Sequence, residues 1–158
     1  MKEITTLRES DLKELFRKSD NFFIAVLSIE IFLFLFVYFF VDNIALSVNF
    51  VQGNEIILSI LPTSALVIIA RKLRTPLKNL DSLELKLLAF VRRAKKTMLL
   101  LLLAQLLNST LYFFLPRWEF LAIMALITLL HIGYRPTKTN LIRNYKLDEK
   151  ETSIVNSL

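Results

Sequence analysis

The sequence predicts an all-α, polytopic membrane protein: four transmembrane helices, with amphipathic helices before the first and third. Three observations carry that prediction. The 158-residue chain is 54% hydrophobic with mean hydropathy +0.52, yet 22% of its residues are charged. A soluble domain of this size rarely combines those values, because it must cover its surface with polar groups. The charges alternate in blocks with long apolar runs, and four runs approach the ~20 residues that cross a bilayer core. Of the 20 Lys and Arg, 5 precede the first run, 9 lie between Arg71 and Lys96, and 5 follow Tyr134, which leaves Arg117 alone.

Residues 1–21 form an amphipathic segment. Ser10 precedes "DLKELFRK", in which Leu12, Leu15 and Phe16 share one helical face. The first span covers 22–41 and holds 7 of the 13 phenylalanines, more bulk than one packing seam needs. A cleavable leader is not expected. Ten of the 21 residues before the run are charged, half of them acidic, and the run is too long for a leader's apolar core. The second span, about 50–70, is the weakest: its apolar part begins near Ile56 and contains Pro62, and its outer turn needs Gln52, Asn54 and Glu55.

The basic loop 71–96 carries nine cations and two acids. Within it Leu83, Leu87, Phe90, Val91 and Ala94 make one stripe, with Asp81 and Glu84 at the start and Arg92, Arg93, Lys95 and Lys96 at the end, an order that suits the helix dipole. This helix is expected to run unbroken into the third span, 97–115, and to rest its stripe on the membrane or a partner. The fourth span covers 118–134, completing a 22–134 membrane domain. In the tail, 135–158, Asp148 and Glu151 form a candidate capping box ahead of Ile154, Val155 and Leu158.

The cation distribution orients the chain. Both termini and the central loop belong in the cytoplasm, with a bacterial inner (plasma) membrane as the expected location. Arg71, Lys72, Arg74, Arg92, Arg93, Lys95 and Lys96 are expected at the anionic headgroups, where long stems snorkel. The loop has no interleaved aromatics for base stacking, so nucleic acid is not an expected partner. A shift of 75 residues lays Leu12 on Leu87, Arg17 on Arg92, Leu27 on Leu102 and Phe39 on Phe114, so each half reads as a basic amphipathic helix leading into a pair of spans. The same shift lays Glu30 on Gln105.

Polar residues inside the spans report which faces meet protein, because lipid cannot satisfy them. Gln52, Glu55, Ser59 and Thr63 form a stripe on the second span. Gln105, Asn108, Ser109 and Tyr112 form one on the third, and Thr128 and His131 lie three apart on the fourth. At about 1.5 Å per residue, Glu30, Ser59, Gln105, Asn108 and Thr128 fall within roughly 5 Å of the midplane. His131 falls about 7 Å toward the cytoplasm. The expected seam is therefore Glu30, Ser59, Thr63, Gln105, Asn108, Ser109 and His131. An ionised carboxylate costs several kcal/mol at that depth, so Glu30 should face the bundle and be protonated or paired. It can pin helix register through Gln105 or Asn108, or it can carry protons or coordinate a cation, with Glu55 and His131 as relays.

The absences exclude much. The chain has no cysteine, one histidine and two glycines, so thiol chemistry, multi-histidine metal sites and Gly-rich phosphate loops have no raw material. No cofactor or metal is expected, and no nucleophile–base pair can be assembled. Four spans with an acid in the middle of the first resembles, in outline, the small multidrug resistance transporters. Glu30 is the one position that maps; those proteins are shorter and Gly-rich and lack a helical cytoplasmic loop. The leading reading is a non-catalytic accessory or scaffold subunit, docking a protein partner or a second copy of itself. The competing one is a small proton-coupled transporter or channel built on Glu30.

Overall fold

The computed structural model describes residues 9–40, 55–76, 80 and 82–157. Among these the chain is helical throughout, without strands: α1 (Glu9–Phe40), α2 (Glu55–Arg74), α3 (Leu83–Phe114), α4 (Trp118–Gly133), α5 (Lys138–Tyr145) and α6 (Glu149–Ser157). Gln52 and Asn54 lie outside the described residues.

α1 and α3 are the long elements, 32 residues each, or about 48 Å at the helical rise. Neither contains a glycine or proline, so nothing interrupts the amphipathic segment before it becomes the apolar run. For α3 this continuity was expected. For α1 it means that 9–21 is a straight extension of the apolar helix, not a separate interfacial one. Ser82 opens α3 by accepting a hydrogen bond from the Leu85 N–H at 3.3 Å, and the helix stops just ahead of Pro116. α2 continues through Pro62 and ends ahead of Pro76. Thr137 caps α5, accepting from the Asn140 N–H at 3.2 Å. The capping box at α6 is present in reciprocal form: Glu151 N–H donates to Asp148 Oδ1 at 2.7 Å, and Asp148 N–H donates to Glu151 Oε2 at 3.2 Å.

Three buried clusters fix the directions of the long helices. Leu12 packs with Leu87, Phe23 with Met98, and Val37 with Tyr112. Each pair is 75 residues apart, so α1 and α3 run parallel and in contact at the offset that the repeat pattern suggested. α2 and α4 run antiparallel to α3. Ala70 and Ile127 pack with Leu101 and Ala104, while Phe120 and Met124 meet Tyr112 at the other end. α3 is the central helix, and α1 lies at the periphery: 22% of α1's most apolar window is buried, against 44% for α3.

The stripe on the first half of α3 finds its cover within the chain. Leu87, Phe90 and Val91 pack with Leu12 of α1, Leu141 of α5 and Val155 of α6. Leu87, Leu141 and Val155 are fully buried. The Phe90 ring meets Tyr145 edge-on at 6.2 Å, and Lys86 Nζ bonds both carboxylate oxygens of Glu151 at 2.7 and 2.8 Å. The expectation that this face rests on a membrane or a partner is therefore corrected. The two short tail helices, of 8 and 9 residues, supply the apolar cover.

By length and composition α1 and α3 are each able to cross a membrane, and α4 joins them if it is counted with α5 across a 77° bend. α4 alone has 16 residues, short of a full span. Among the described residues, two or three helices are therefore long and apolar enough to span a membrane.

Candidate functional site

The seam residues are brought together. Glu30, Ser59, Gln105, Asn108 and His131 are wholly buried, and Thr63 and Ser109 nearly so. They fall into two adjoining groups rather than one continuous line. Between α2 and α3, Asn108 is the hub. Its amide N–H donates to Thr63 Oγ1 at 2.9 Å and to the Ala104 carbonyl at 2.8 Å, and its Oδ1 accepts from Ser59. Every polar atom of that side chain is used. Ser109 Oγ donates to the Gln105 carbonyl at 2.8 Å, and Thr128 Oγ1 to the Met124 carbonyl at 3.1 Å, so both hydroxyls turn back onto their own helices.

Glu30 meets His131, not Gln105 or Asn108. Its Oε1 lies 2.9 Å from His131 Nδ1, and both side chains are fully enclosed. The reason is the direction of the side chains. In a helix they tilt toward the N-terminus. α1 and α4 are antiparallel, so Glu30 tilts toward the basic end of the bundle while His131 tilts away from it. The two converge across the offset in depth between their backbones. Gln105 sits on α3, parallel to α1, and tilts the same way as Glu30. Asn108 is already committed to α2.

The pair has a definite proton arithmetic. A 2.9 Å contact between Oε1 and Nδ1 holds a proton, donated by the ring or by the acid. The site is electrically neutral only with two protons on the pair, as glutamic acid beside neutral imidazole or as carboxylate beside imidazolium. Burial favours a neutral total, since an uncompensated charge there costs far more than a paired one. Among the described residues, Glu30 Oε2, His131 Nε2 and both amide atoms of Gln105 are buried without a hydrogen-bond partner. The Phe23 ring, 5.2 Å from the His131 ring centroid, closes the site on the basic side.

No protein family, curated protein or solved structure matches this chain. The site therefore stands on its own geometry. Among the described residues no group of three or more His, Asp or Glu side chains is placed to hold a metal ion.

The cations expected at headgroups share one level of the bundle. Arg93 of α3 donates to the Leu73 and Thr75 carbonyls at the end of α2. Arg74 stacks 4.2 Å over the Tyr134 ring at the end of α4. Lys95 lies 5.6 Å from the Phe22 ring of α1, and Arg71, Lys72, Arg92 and Lys96 are exposed at the same level. Arg135, which the sequence reading did not single out, belongs to this belt. It pairs with Asp20 through two bonds of 3.1 Å and lies 5.7 Å from the Phe23 ring. A cation one residue beyond the fourth apolar run and an acid just before the first were the available signal.

Proposed function

We propose that this chain is a non-catalytic integral membrane protein of four spans, both termini in the cytoplasm, that serves as an accessory or scaffold subunit docking a partner within the bilayer. The four-span reading counts α2 and α4 beside α1 and α3. It is supported by the cation belt, which collects the ends of all four apolar segments at one level. From Lys96 to Phe114 is about 27 Å of helix, close to a hydrocarbon thickness. Trp118, 73% exposed at the far end, suits the opposite interface.

The observation that carries the docking role is an aromatic ladder on the outer side of α1. Phe32, Phe36 and Phe40 are exposed and stack in succession, with ring centroids 6.1 and 5.4 Å apart. Lipid requires only apolarity. A row of mutually stacked rings on a helix less buried than α3 is a preorganised ridge for a neighbouring helix, where association depends on packing. The test replaces Phe32 and Phe36 with leucine, which keeps the surface apolar. Self-association or retention of a partner in mild detergent should fall while the fold is unchanged. Unchanged association would refute this role for α1.

A second reading has its own observation. The enclosed Glu30–His131 pair, with Glu30 Oε2 and His131 Nε2 unpartnered among the described residues, is suited to proton movement in a small transporter or channel. Intramembrane ionisable residues are functional candidates in their own right. Glu30→Gln separates the readings: a protein that folds and associates normally but has lost its cellular activity belongs to the second.

A further inference from the structure

Between the C-terminal ends of α2 and α4, the first half of α3 and α5 there is a small recess lined by Arg74, Arg93, Arg135, Tyr134, Asn144 and Tyr145, among others. Three guanidinium groups from separate parts of the chain converge on it. Arg135 has a counter-charge in Asp20. Among the described residues neither Arg74 nor Arg93 has a carboxylate within ion-pair distance. Arg93 is held by carbonyl oxygens at the end of α2 and Arg74 by the face of Tyr134, contacts that orient the guanidiniums without supplying a formal counter-charge. Both side chains are half-buried. Burial raises the Tyr145 phenol above its ordinary range, with Arg93 pulling it back.

Two like charges held together without an anion are costly unless an anion completes them. Guanidinium forks match phosphate oxygens in geometry as well as charge, and basic pockets between helices at the cytoplasmic face suit lipid headgroups. The enclosed space is about 20 Å³, on the scale of one water. A phosphate would therefore sit at the mouth of the recess, with its substituents outside.

We propose that Arg74 and Arg93, with Arg135 at the rim, form a binding site for the phosphate of an anionic phospholipid headgroup, a specific site within the otherwise diffuse basic belt. The proposal rests on the membrane reading above. If the chain does not cross a membrane, the topology measurement fails independently of the lipid measurement.

The test measures retention of phosphatidylglycerol by the purified full-length protein in mixed micelles, with phosphatidylcholine as the neutral reference. Arg74→Gln with Arg93→Gln is compared with Arg71→Gln with Lys72→Gln, which removes the same charge from exposed positions beside the recess. The recess pair should weaken phosphatidylglycerol binding about tenfold or more, as expected for lost charge-assisted hydrogen bonds; the control pair should change it by less than about threefold. Equal losses in the two pairs, or none in either, would overturn the site. Arg74→Lys keeps charge but loses the fork, so it should also weaken binding if the variants lacking Arg93 fold poorly. Unchanged binding in Arg74→Lys would count against the site. Inorganic phosphate should compete only weakly; phosphate binding without preference for phosphatidylglycerol would overturn the lipid assignment.

Discussion

Replacing Glu30 with leucine removes the carboxylate that meets His131 in a wholly enclosed place. The ring's Nε2 already has no partner, so the change leaves the imidazole with none at either nitrogen. A stranded buried polar group costs about 1–3 kcal/mol. Hydrogen bonds between membrane helices measure lower, about 0.6 kcal/mol on average and up to about 1.7, because the unfolded chain in lipid also finds partners. The expected loss for Glu30→Leu is therefore about 1–2 kcal/mol. Glu30→Gln should lose less than about 1 kcal/mol, since an amide offers both a donor and an acceptor and can satisfy either tautomer of His131. Removing both partners, as Glu30→Leu with His131→Leu, should recover most of the single-mutant loss, because two apolar side chains strand nothing. The assay is reversible unfolding in mixed micelles, followed by the fluorescence of Trp118, the chain's one tryptophan. Additive losses in the double variant, or a Glu30→Leu protein as stable as the parent, would refute the pairing. A single-mutant loss above about 3 kcal/mol would indicate that the pair is held as charges, the cost typical of breaking a buried ion pair.

Two further outcomes follow from the packing. Asn108→Leu should cost about 1–2 kcal/mol in the same unfolding assay, because Ser59 and Thr63 lose their shared partner at once; an unchanged stability would mean that α2 is not held through this hub. Leu87→Ala should cost about 2–5 kcal/mol, as truncation of a fully buried leucine does, and should speed proteolysis between α5 and α6, since Leu87 lies beneath both; proteolysis at the parent rate would show the tail docked elsewhere.

Much of the fold was legible in the sequence because apolar runs and cation blocks are long-range signals that need no partner to be read. The continuity of α3 and the capping box at Asp148 and Glu151 were local, and both are present. The inward facing of Glu30, Ser59, Thr63, Gln105, Asn108, Ser109 and His131 was local too, and all seven are buried. The pairing within the seam was not legible. Depth along a helix placed Glu30 level with Gln105, but which atoms meet depends on side-chain tilt, and tilt depends on which helices run antiparallel. The destination of the Leu83, Leu87, Phe90 and Val91 stripe was missed for a related reason. Its cover comes from α5 and α6, helices of 8 and 9 residues with one fully buried apolar residue each, Leu141 and Val155; a segment's own pattern does not say which distant face it packs against. Leu85 and Leu88, exposed on the same helix, show that the stripe alone does not exhaust its apolar surface.

Single cysteines measure the number and direction of the spans most directly, without background because the sequence has none. Cysteines placed at Lys13, Lys78 and Lys146 should be shielded from an impermeant thiol reagent in intact cells and labelled after permeabilisation, while those at Ser47 and Arg117 should be labelled in both. Ser47 and Lys78 flank the second helix, so opposite labelling means that it crosses. Arg117 and Lys146 do the same for the fourth. Equal labelling across either helix would contradict the four-span bundle, and labelling at Lys78 with protection at Ser47 would invert it.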